Sequence, residues 1–303
     1  MRRWFLLLLG VSLGLCTRAA AQSCHLSLAP VHFGTLNMAS LTPSAIATAT
    51  INCAPLPDGA VYACLAFGQN GKMLVGTSSA MRTLPFTLSS DGLALGTGET
   101  APMLGPFQPT AQGITVSFGV VLKGVSSTLP AGLYQTKVAD FTVLLYDQKV
   151  AMSPDRAPPS CAQIKAAGMP AMQAPLQISA DVPPVCTVSA TPMVFGQVSL
   201  LNQPETARST IQLQCNTASE VIALDNGATG TGPTSRFMVF GTNKVRYGIY
   251  QDAAHTVPWG STKGRDTETA SGNAVLTAYG LVPAQTTPPP GSYTDVVNVL
   301  VSY

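Results

Sequence analysis

The sequence predicts an all-β protein built from two immunoglobulin-like antiparallel β-sandwich domains in tandem, the second lacking its last strand. Short segments of alternating apolar and polar residues are separated by Gly, Pro, Asn or Asp turns, a pattern typical of antiparallel sandwiches. The 303 residues include 27 Gly and 24 Pro, and only 10% are charged. This composition disfavours helical bundles and coiled coils. The third observation is an internal repeat.

The repeat divides the chain into two copies. Residues 24–34 read CHLSLAPVHFG and residues 186–196 read CTVSATPMVFG, at an offset of 162. In both copies the next cysteine follows 29 residues after the first. The spacing of Leu84, Phe86 and Leu88 recurs in a later segment, at 245–249, and the motif P-x-G-x-Y occurs at 130–134 and 289–293. Agreement in this order predicts two homologous domains, residues 22–182 and 183–303.

The N-terminus has the features of a secretory signal peptide, residues 1–21. Arg2 and Arg3 precede an apolar run over 4–15, and 19–21 read AAA, a cleavage site. A run of this length is too short to span a bilayer. A lipid anchor at Cys16 is the alternative, although the bulky Leu15 disfavours it. A net charge of +2 without a basic run predicts no nucleic-acid partner.

The remaining six cysteines fit an oxidising compartment. The repeat pairs Cys24 with Cys53 and Cys186 with Cys215, which leaves Cys64 for Cys161. No C-x-x-C pair is present and the chain has three histidines, so neither a metal nor another cofactor is predicted.

The two copies end differently. In the first we place strand A from about Cys24, B ending at Cys53, F over 133–146 and a seventh strand, G, over 175–182. The second copy ends at Tyr303, within the equivalent of F, and its apolar segment 293–303 would aggregate if left unpaired. We expect a strand donated by another chain to complete it. The predicted subunit- or chaperone-binding strand contains Tyr293, Val297, Val299, Val301 and Tyr303. A six-stranded sandwich, closed by itself or by the edge of a partner copy, is the alternative.

These motifs together resemble the spore coat protein U domain, the building block of archaic (Csu-type) chaperone–usher pili. They are C-x-V…F-G, T-I-x-x-x-C, the segment from Arg236 to Trp259-Gly260, and P-x-G-x-Y-x-D before a terminal V-x-V-x-Y. The resemblance is strong over 186–303 and weaker over 24–182. It implies domains completed by a neighbour's N-terminal extension, and a two-domain chain similar to a pilus tip adhesin. The implied partners are a periplasmic chaperone, an outer-membrane usher and an adjacent pilin subunit, and the implied location is the cell surface. Because Cys24 follows the predicted mature start, Gln22, by two residues, we expect no donor strand and therefore the last subunit of a fibre.

Three loops of the first domain are predicted to form the distal tip: BC (54–57), DE (about 92–112) and FG (about 147–173, with a short helical turn at 161–168). Their apolar side chains would form an adhesive patch for abiotic or host surfaces, as in biofilm formation. The alternative is that they fold back as a small core beneath the loops. The candidate surface-binding residues are Leu56, Leu93, Leu95, Met103, Leu104, Phe107, Val150, Met152, Met169 and Met172.

The sequence gives little support for an enzyme. It has no G-x-S-x-G, H-E-x-x-H or phosphate-binding loop, and we interpret His25, His32 and His255 as structural or surface residues. Two alternatives to a pilus adhesin remain. One is a secreted coat or matrix protein. The other is a lectin-like adhesin that binds a receptor through Asn70, Gln108 and Gln112.

Overall fold

The computed structural model describes residues 23–67, 72–75, 82–90, 92–96, 101–147 and 159–303. The predicted signal peptide lies outside these residues. The described residues fold into two β-sandwiches with one short helix, so the predicted all-β class is confirmed. Within this part of the chain, no helix has the length and apolar character needed to cross a bilayer.

The first sandwich contains the strands up to residue 182. They are β1 (Ser23–Leu28), β2 (Val31–Thr35), β3 (Ser44–Ala54), β4 (Val61–Ala66), β5 (Lys72–Val75), β6 (Thr83–Ser90), β7 (Leu93–Ala94), β8 (Met103–Phe107), β9 (Ile114–Leu122), β10 (Gly132–Asp147) and β11 (Met172–Val182), with helix α1 (Cys161–Ala166) between the last two.

Two sheets form this sandwich. One has the order β1-β3-β9-β6 with β7 on β6, and the other has the order β2-β11-β10-β4-β8. Strand β5 pairs with both β6 and β10 and so joins the sheets on one side. On the other side the chain passes from β1 in one sheet to β2 in the other. Among the described strands of this sandwich, every pairing is antiparallel except β2 with β11, which is parallel. Both sides of the first sandwich are therefore closed.

Alternate residues of the strands fill the first core. Phe118 of β9 and Phe141 of β10 stack between the sheets with ring centroids 5.1 Å apart. Strand β11 is an integral part of this core, because five of its inward side chains are buried: Ala174, Leu176, Ile178, Ala180 and Val182.

The second sandwich contains β12 (Cys186–Ala190), β13 (Glu205–Cys215), β14 (Glu220–Leu224), β15 (Arg236–Phe240), β16 (Asn243–Tyr250), β17 (Glu268–Ala270), β18 (Asn273–Val282) and β19 (Val299–Ser302). A five-stranded sheet, β12-β13-β18-β16-β15, packs against a three-stranded sheet, β17-β14-β19. Trp259 is buried in this core, and its indole nitrogen donates a hydrogen bond to the Ile222 carbonyl at 3.0 Å.

Three disulfides form with the pairing expected from the repeat. Cys24–Cys53 joins β1 to β3, and Cys186–Cys215 joins β12 to β13 in the same register. Cys64–Cys161 ties β4 to the start of α1 and has no counterpart in the second copy.

Strands F and G lie where the sequence placed them, as β10 and β11, and the expected helical turn is α1. The predicted DE loop is different, because it contains strands β7 and β8. Strand β8 forms because it pairs with the free edge of β4, a non-local pairing that local sequence patterns do not reveal.

Candidate functional site

An open apolar groove runs along the second sandwich and has a volume of about 390 Å³. One wall runs from the end of β12 over 190–195, and the other runs over 293–299 to the start of β19. Core side chains form the floor: Ile211, Leu224, Met238, Tyr247, Ile249 and Ala278. Of the predicted binding strand, Tyr293, Val297 and Val299 line this groove, Val301 packs on the second core, and Tyr303 is exposed.

The first wall lacks the strand that its counterpart forms in the first sandwich. Residues 193–196 correspond in the repeat to 31–34, which lie in β2 and pair with β11. In the second sandwich, residues 192–200 form no strand, and their backbone groups make no hydrogen bond to another described residue. Met193 and Phe195 line the groove, whereas Val194 is 71% exposed. Strand patterns in the sequence did not predict this wall, although the recurrence of F-G at 195–196 was a usable signal.

The second wall is also irregular along most of its length. Residues 293–298 form only an isolated bridge, between Thr294 and Val239, before β19 pairs with β14. In the first sandwich the equivalent strand, β10, pairs with β11 from Gly132 to Val143. The two walls of the groove thus correspond to β2 and β10, the two strands that pair with β11 in the first sandwich.

Side-chain hydrogen bonds hold the second wall in place. The Tyr293 hydroxyl donates to the Pro289 carbonyl at 2.8 Å. The Tyr247 hydroxyl donates to the Asp295 carboxylate at 2.8 Å. Burial, followed by this hydrogen bond, raises the pKa of Tyr247 well above its ordinary value. Tyr247 therefore stays neutral and remains a hydrogen-bond donor at physiological pH.

Asp225 fixes the next turn of this wall. Its carboxylate accepts hydrogen bonds from the Asn298 side chain at 2.6 Å and from the backbone of Asn298 and Gly227, each at 3.0 Å. Burial acts to raise the pKa of Asp225, but these hydrogen bonds outweigh it and leave the pKa below its ordinary value. The wall is thus held by a carboxylate that is ionised at neutral pH.

Arg236 supports the floor from below and is fully buried. Its guanidinium donates to the carbonyls of Asp225, Pro233, Leu224 and Trp259 at 2.6–3.3 Å. Burial lowers its pKa, while Tyr247 and the nearby aspartates act in the opposite direction. The arginine and the tryptophan of the sequence motif therefore belong to one buried assembly beneath the groove.

The strand register places the predicted tip loops at the end of the first sandwich that lies away from the second. At this end Ser23 pairs with Ala54, and Val61 pairs with both Asp147 and Phe107. The opposite end carries the pairs Gly132–Val182 and Ser44–Val121. Since Val182 leads into the second sandwich, the ends of the three predicted loops lie on the far side.

The candidate surface residues divide by exposure. Leu56, Leu93 and Met169 are exposed, at 42%, 54% and 41%, whereas Met103, Phe107 and Met172 are half-buried. Leu95 and Leu104 are a correction: each is only 4% exposed and packs in the first core. Leu95 directly follows β7 and bonds the Leu88 carbonyl of β6, and Leu104 lies in β8. Val150, Met152 and the alternative receptor residue Asn70 lie outside the described residues.

A small separate core explains part of this burial. Cys64, Ala101, Leu144, Cys161 and Ile164 pack together between α1 and the outer face of the sheet, with Met103 and Tyr146 against them. Part of the long FG segment is thus folded back over the sheet.

The described residues include three histidines, His25, His32 and His255. No group of three metal-ligating side chains gathers among the described residues. His25 is exposed, and His32 bonds Ser179 at 2.7 Å between β2 and β11. His255 packs edge-on against Tyr250.

Comparisons with known proteins agree with the motifs. The sequence profile of the Spore Coat Protein U domain matches residues 172–300, which confirms the resemblance for this part of the chain. A comparison with curated proteins finds no match.

Among solved structures, the chain is similar to the CsuC–CsuE chaperone–tip adhesion subunit pre-assembly complex from archaic chaperone–usher Csu pili of Acinetobacter baumannii. The identity is 14%, the TM-score 0.51, and the match covers 93% of this chain and 100% of the other. At this identity the likeness establishes the fold. The CupB6 tip adhesin of Pseudomonas aeruginosa also matches, with 13% identity, a TM-score of 0.36 and coverages of 92% and 93%.

Proposed function

Residues 172–300 of this chain match the Spore Coat Protein U domain, and on that premise we propose that the protein is the tip adhesin subunit of a chaperone–usher pilus. Its second sandwich binds, in the groove, a strand supplied by another polypeptide. Its first sandwich attaches the cell to a surface. Export through the periplasm, by a signal peptide at 1–21, brings it to the cell surface.

The single observation that carries this proposal is the open groove beside a closed copy of the same fold. Strand β11 fills the equivalent position in the first sandwich, where it buries five inward side chains and pairs with both neighbours. An extended peptide that pairs with exposed backbone while its alternate side chains fill pockets is a common mode of recognition. A strand from elsewhere would complete the second sandwich in the same way.

Two partners would supply this strand in sequence. The structurally similar CsuE was solved as a pre-assembly complex with a chaperone. We assign the first occupancy here to a periplasmic chaperone, and the second to an adjacent pilin subunit delivered at an outer-membrane usher. The role is non-enzymatic and requires no cofactor.

Attachment is assigned to the far end of the first sandwich. The exposed side chains Leu56, Leu93 and Met169 offer apolar contact area without directional bonding. Such contact suits varied surfaces, abiotic or host, and hence biofilm formation.

The groove is tested by placing a charge on its first wall. Met193→Asp directs a carboxylate into the groove, whereas Val194→Asp, on the neighbouring exposed residue, is the matched control. Fibres on native cells are labelled by immunogold with antibody against the first sandwich. We expect single labels at fibre ends for wild type and V194D, and none for M193D. End labels on M193D cells would contradict docking in this groove, and label spread over the cell surface would favour a coat protein.

The adhesive surface is tested by polar substitution. We expect Leu56→Ser, Leu93→Ser and Met169→Ser together to abolish binding of cells to plastic while leaving fibres intact. Leu41→Ser is the control, because Leu41 is 71% exposed and precedes β3 at the opposite end. Unchanged binding to plastic with lost binding to host cells would favour the lectin-like alternative.

A further inference from the structure

The junction between the two sandwiches is organised around one side chain. Residues 183–185 connect β11 to β12 and begin with two prolines, which restrict the backbone of the connection. Asn216, the residue directly after β13, lies against this connection and is only 7% exposed.

Asn216 makes five hydrogen bonds at this junction. Its side-chain oxygen accepts from the Val185 amide at 2.7 Å, and its backbone amide donates to the Val185 carbonyl at 3.0 Å. Its side-chain nitrogen donates to the carbonyls of Pro183 and Leu129, each at 3.0 Å. Its backbone carbonyl accepts from the Ala131 amide at 2.9 Å.

These partners belong to the connection, at Pro183 and Val185, and to the first sandwich, at Leu129 and Ala131. Leu129 packs against the first core, and Ala131 precedes β10 directly. Asn216 itself follows Cys215, whose disulfide to Cys186 anchors it to the second sandwich. A neutral primary amide is required to donate twice and accept at once. Aspartate lacks the donors, and glutamine would displace the group by one methylene.

We propose that Asn216 is an interdomain lock that holds the two sandwiches in one fixed orientation. Without Asn216, residues 183–185 would be the one described link between the two sandwiches. The lock adds a second path, from β13 to the loop before β10, so that rotation about residues 183–185 requires several part-buried hydrogen bonds to break together. The tandem then moves as one rigid body. This inference does not depend on the function proposed above.

The lock is tested by ¹⁵N relaxation on the full chain. In wild type we expect one rotational correlation time for the amides of both sandwiches. In Asn216→Ala, and in Asn216→Asp, which keeps the shape but lacks both donors, we expect each sandwich to tumble with a shorter time, approaching that of a body of half the mass. Asn202→Ala, at an exposed site on the second sandwich, should behave as wild type. A single unchanged correlation time in folded N216A would overturn the proposal.

Wild-type hydrogen exchange provides a test that needs no substitution. The amides of Val185 and Ala131 donate within the lock, so we expect both to be protected as strongly as strand amides. Exchange of either amide at the rate of a free loop would also overturn the proposal.

Discussion

The two copies of the repeat share a framework but differ along one edge. Each has the same disulfide between its first two paired strands, and each forms the same tyrosine corner. Tyr134 donates to the Pro130 carbonyl at 2.9 Å, as Tyr293 does to Pro289. However, β10 runs for 16 residues, whereas β19 has only 4. We infer that β10 is long and regular because β11 pairs with it. The equivalent segment of the second copy is also strongly β-prone, but it has no such neighbour.

The second copy replaces the contacts of the absent neighbour with polar ones. At positions where the repeat places Phe86 and Thr136 in the first copy, the second has Tyr247 and Asp295, which bond each other. Asp225 and Asn298 add a further pair. These side chains hold the wall through the backbone of Val296 and Asn298, whereas the backbone groups of 293, 295 and 297 make no hydrogen bond to another described residue. A docking strand would need such groups.

The largest expected effect is on the stability of the second sandwich, when it is given its own copy of the strand β11. A copy of residues 172–182 is joined behind Tyr303 through a flexible linker. Each fully buried apolar side chain contributes about 1.5–3 kcal/mol. After the cost of ordering the strand, we expect the melting temperature of the second sandwich to rise by about 10 °C, measured by calorimetry.

The control for this fusion carries Asp in place of the copied Leu176 and Ile178, whose side chains point inward in the first sandwich. If the two fusions melted at the same temperature, the added segment would not occupy the groove, and the comparison between the copies would lose its basis.

A smaller effect is expected at the tyrosine corners. Tyr134→Phe and Tyr293→Phe each remove one hydrogen bond, with a net cost of about 0.5–1.5 kcal/mol. The loss should be greater for Tyr134, which is fully buried, than for Tyr293, which is partly exposed at the groove. Urea unfolding measures both free energies. Tyr303→Phe, at a residue 60% exposed, is the control and should change little; equal losses at both corners would show that the open edge does not weaken the second one.

The smallest effect is a difference in pH dependence. Because hydrogen bonds depress the pKa of Asp225 in the folded protein, its stabilisation is complete above the unfolded value of about 4 and is lost as the pH falls through the folded value. We expect the second sandwich to lose more stability than the first between pH 5 and about 3. Trp259 fluorescence follows its unfolding in urea.

Asp225→Asn should flatten this pH dependence, whereas Asp181→Asn, at an exposed aspartate of the first sandwich, should not. An unchanged slope in D225N would show that other groups carry the acid sensitivity.

Much of this architecture could be predicted because the repeat carried long-range information. Matching cysteines fixed the disulfides, and alternation located β10 and β11. Burial could not be predicted in the same way. Leu104 looks like a loop residue, yet it is buried because β8 pairs with β4, about 40 residues earlier in the chain. The wall at 192–200 was missed because its F-G repeats that of β2, and only the fold shows that no described strand pairs with it in the second copy. Likewise, no local pattern pairs Asp225 with Asn298, since only the fold brings them together.

The pairing of β2 with β11 also has a consequence for the order of folding. Val31 pairs with Ile178, so a strand near the start of the described chain acquires its neighbour only when the end of the first sandwich is present. Contacts between such distant residues slow folding. In the proposed export, starting from the N-terminus, the first sandwich would therefore pass through a stage with an open edge of its own. A partner that covers the groove of the second sandwich would first find a similar open site in the first sandwich. That site would exist only until β11 pairs with β2.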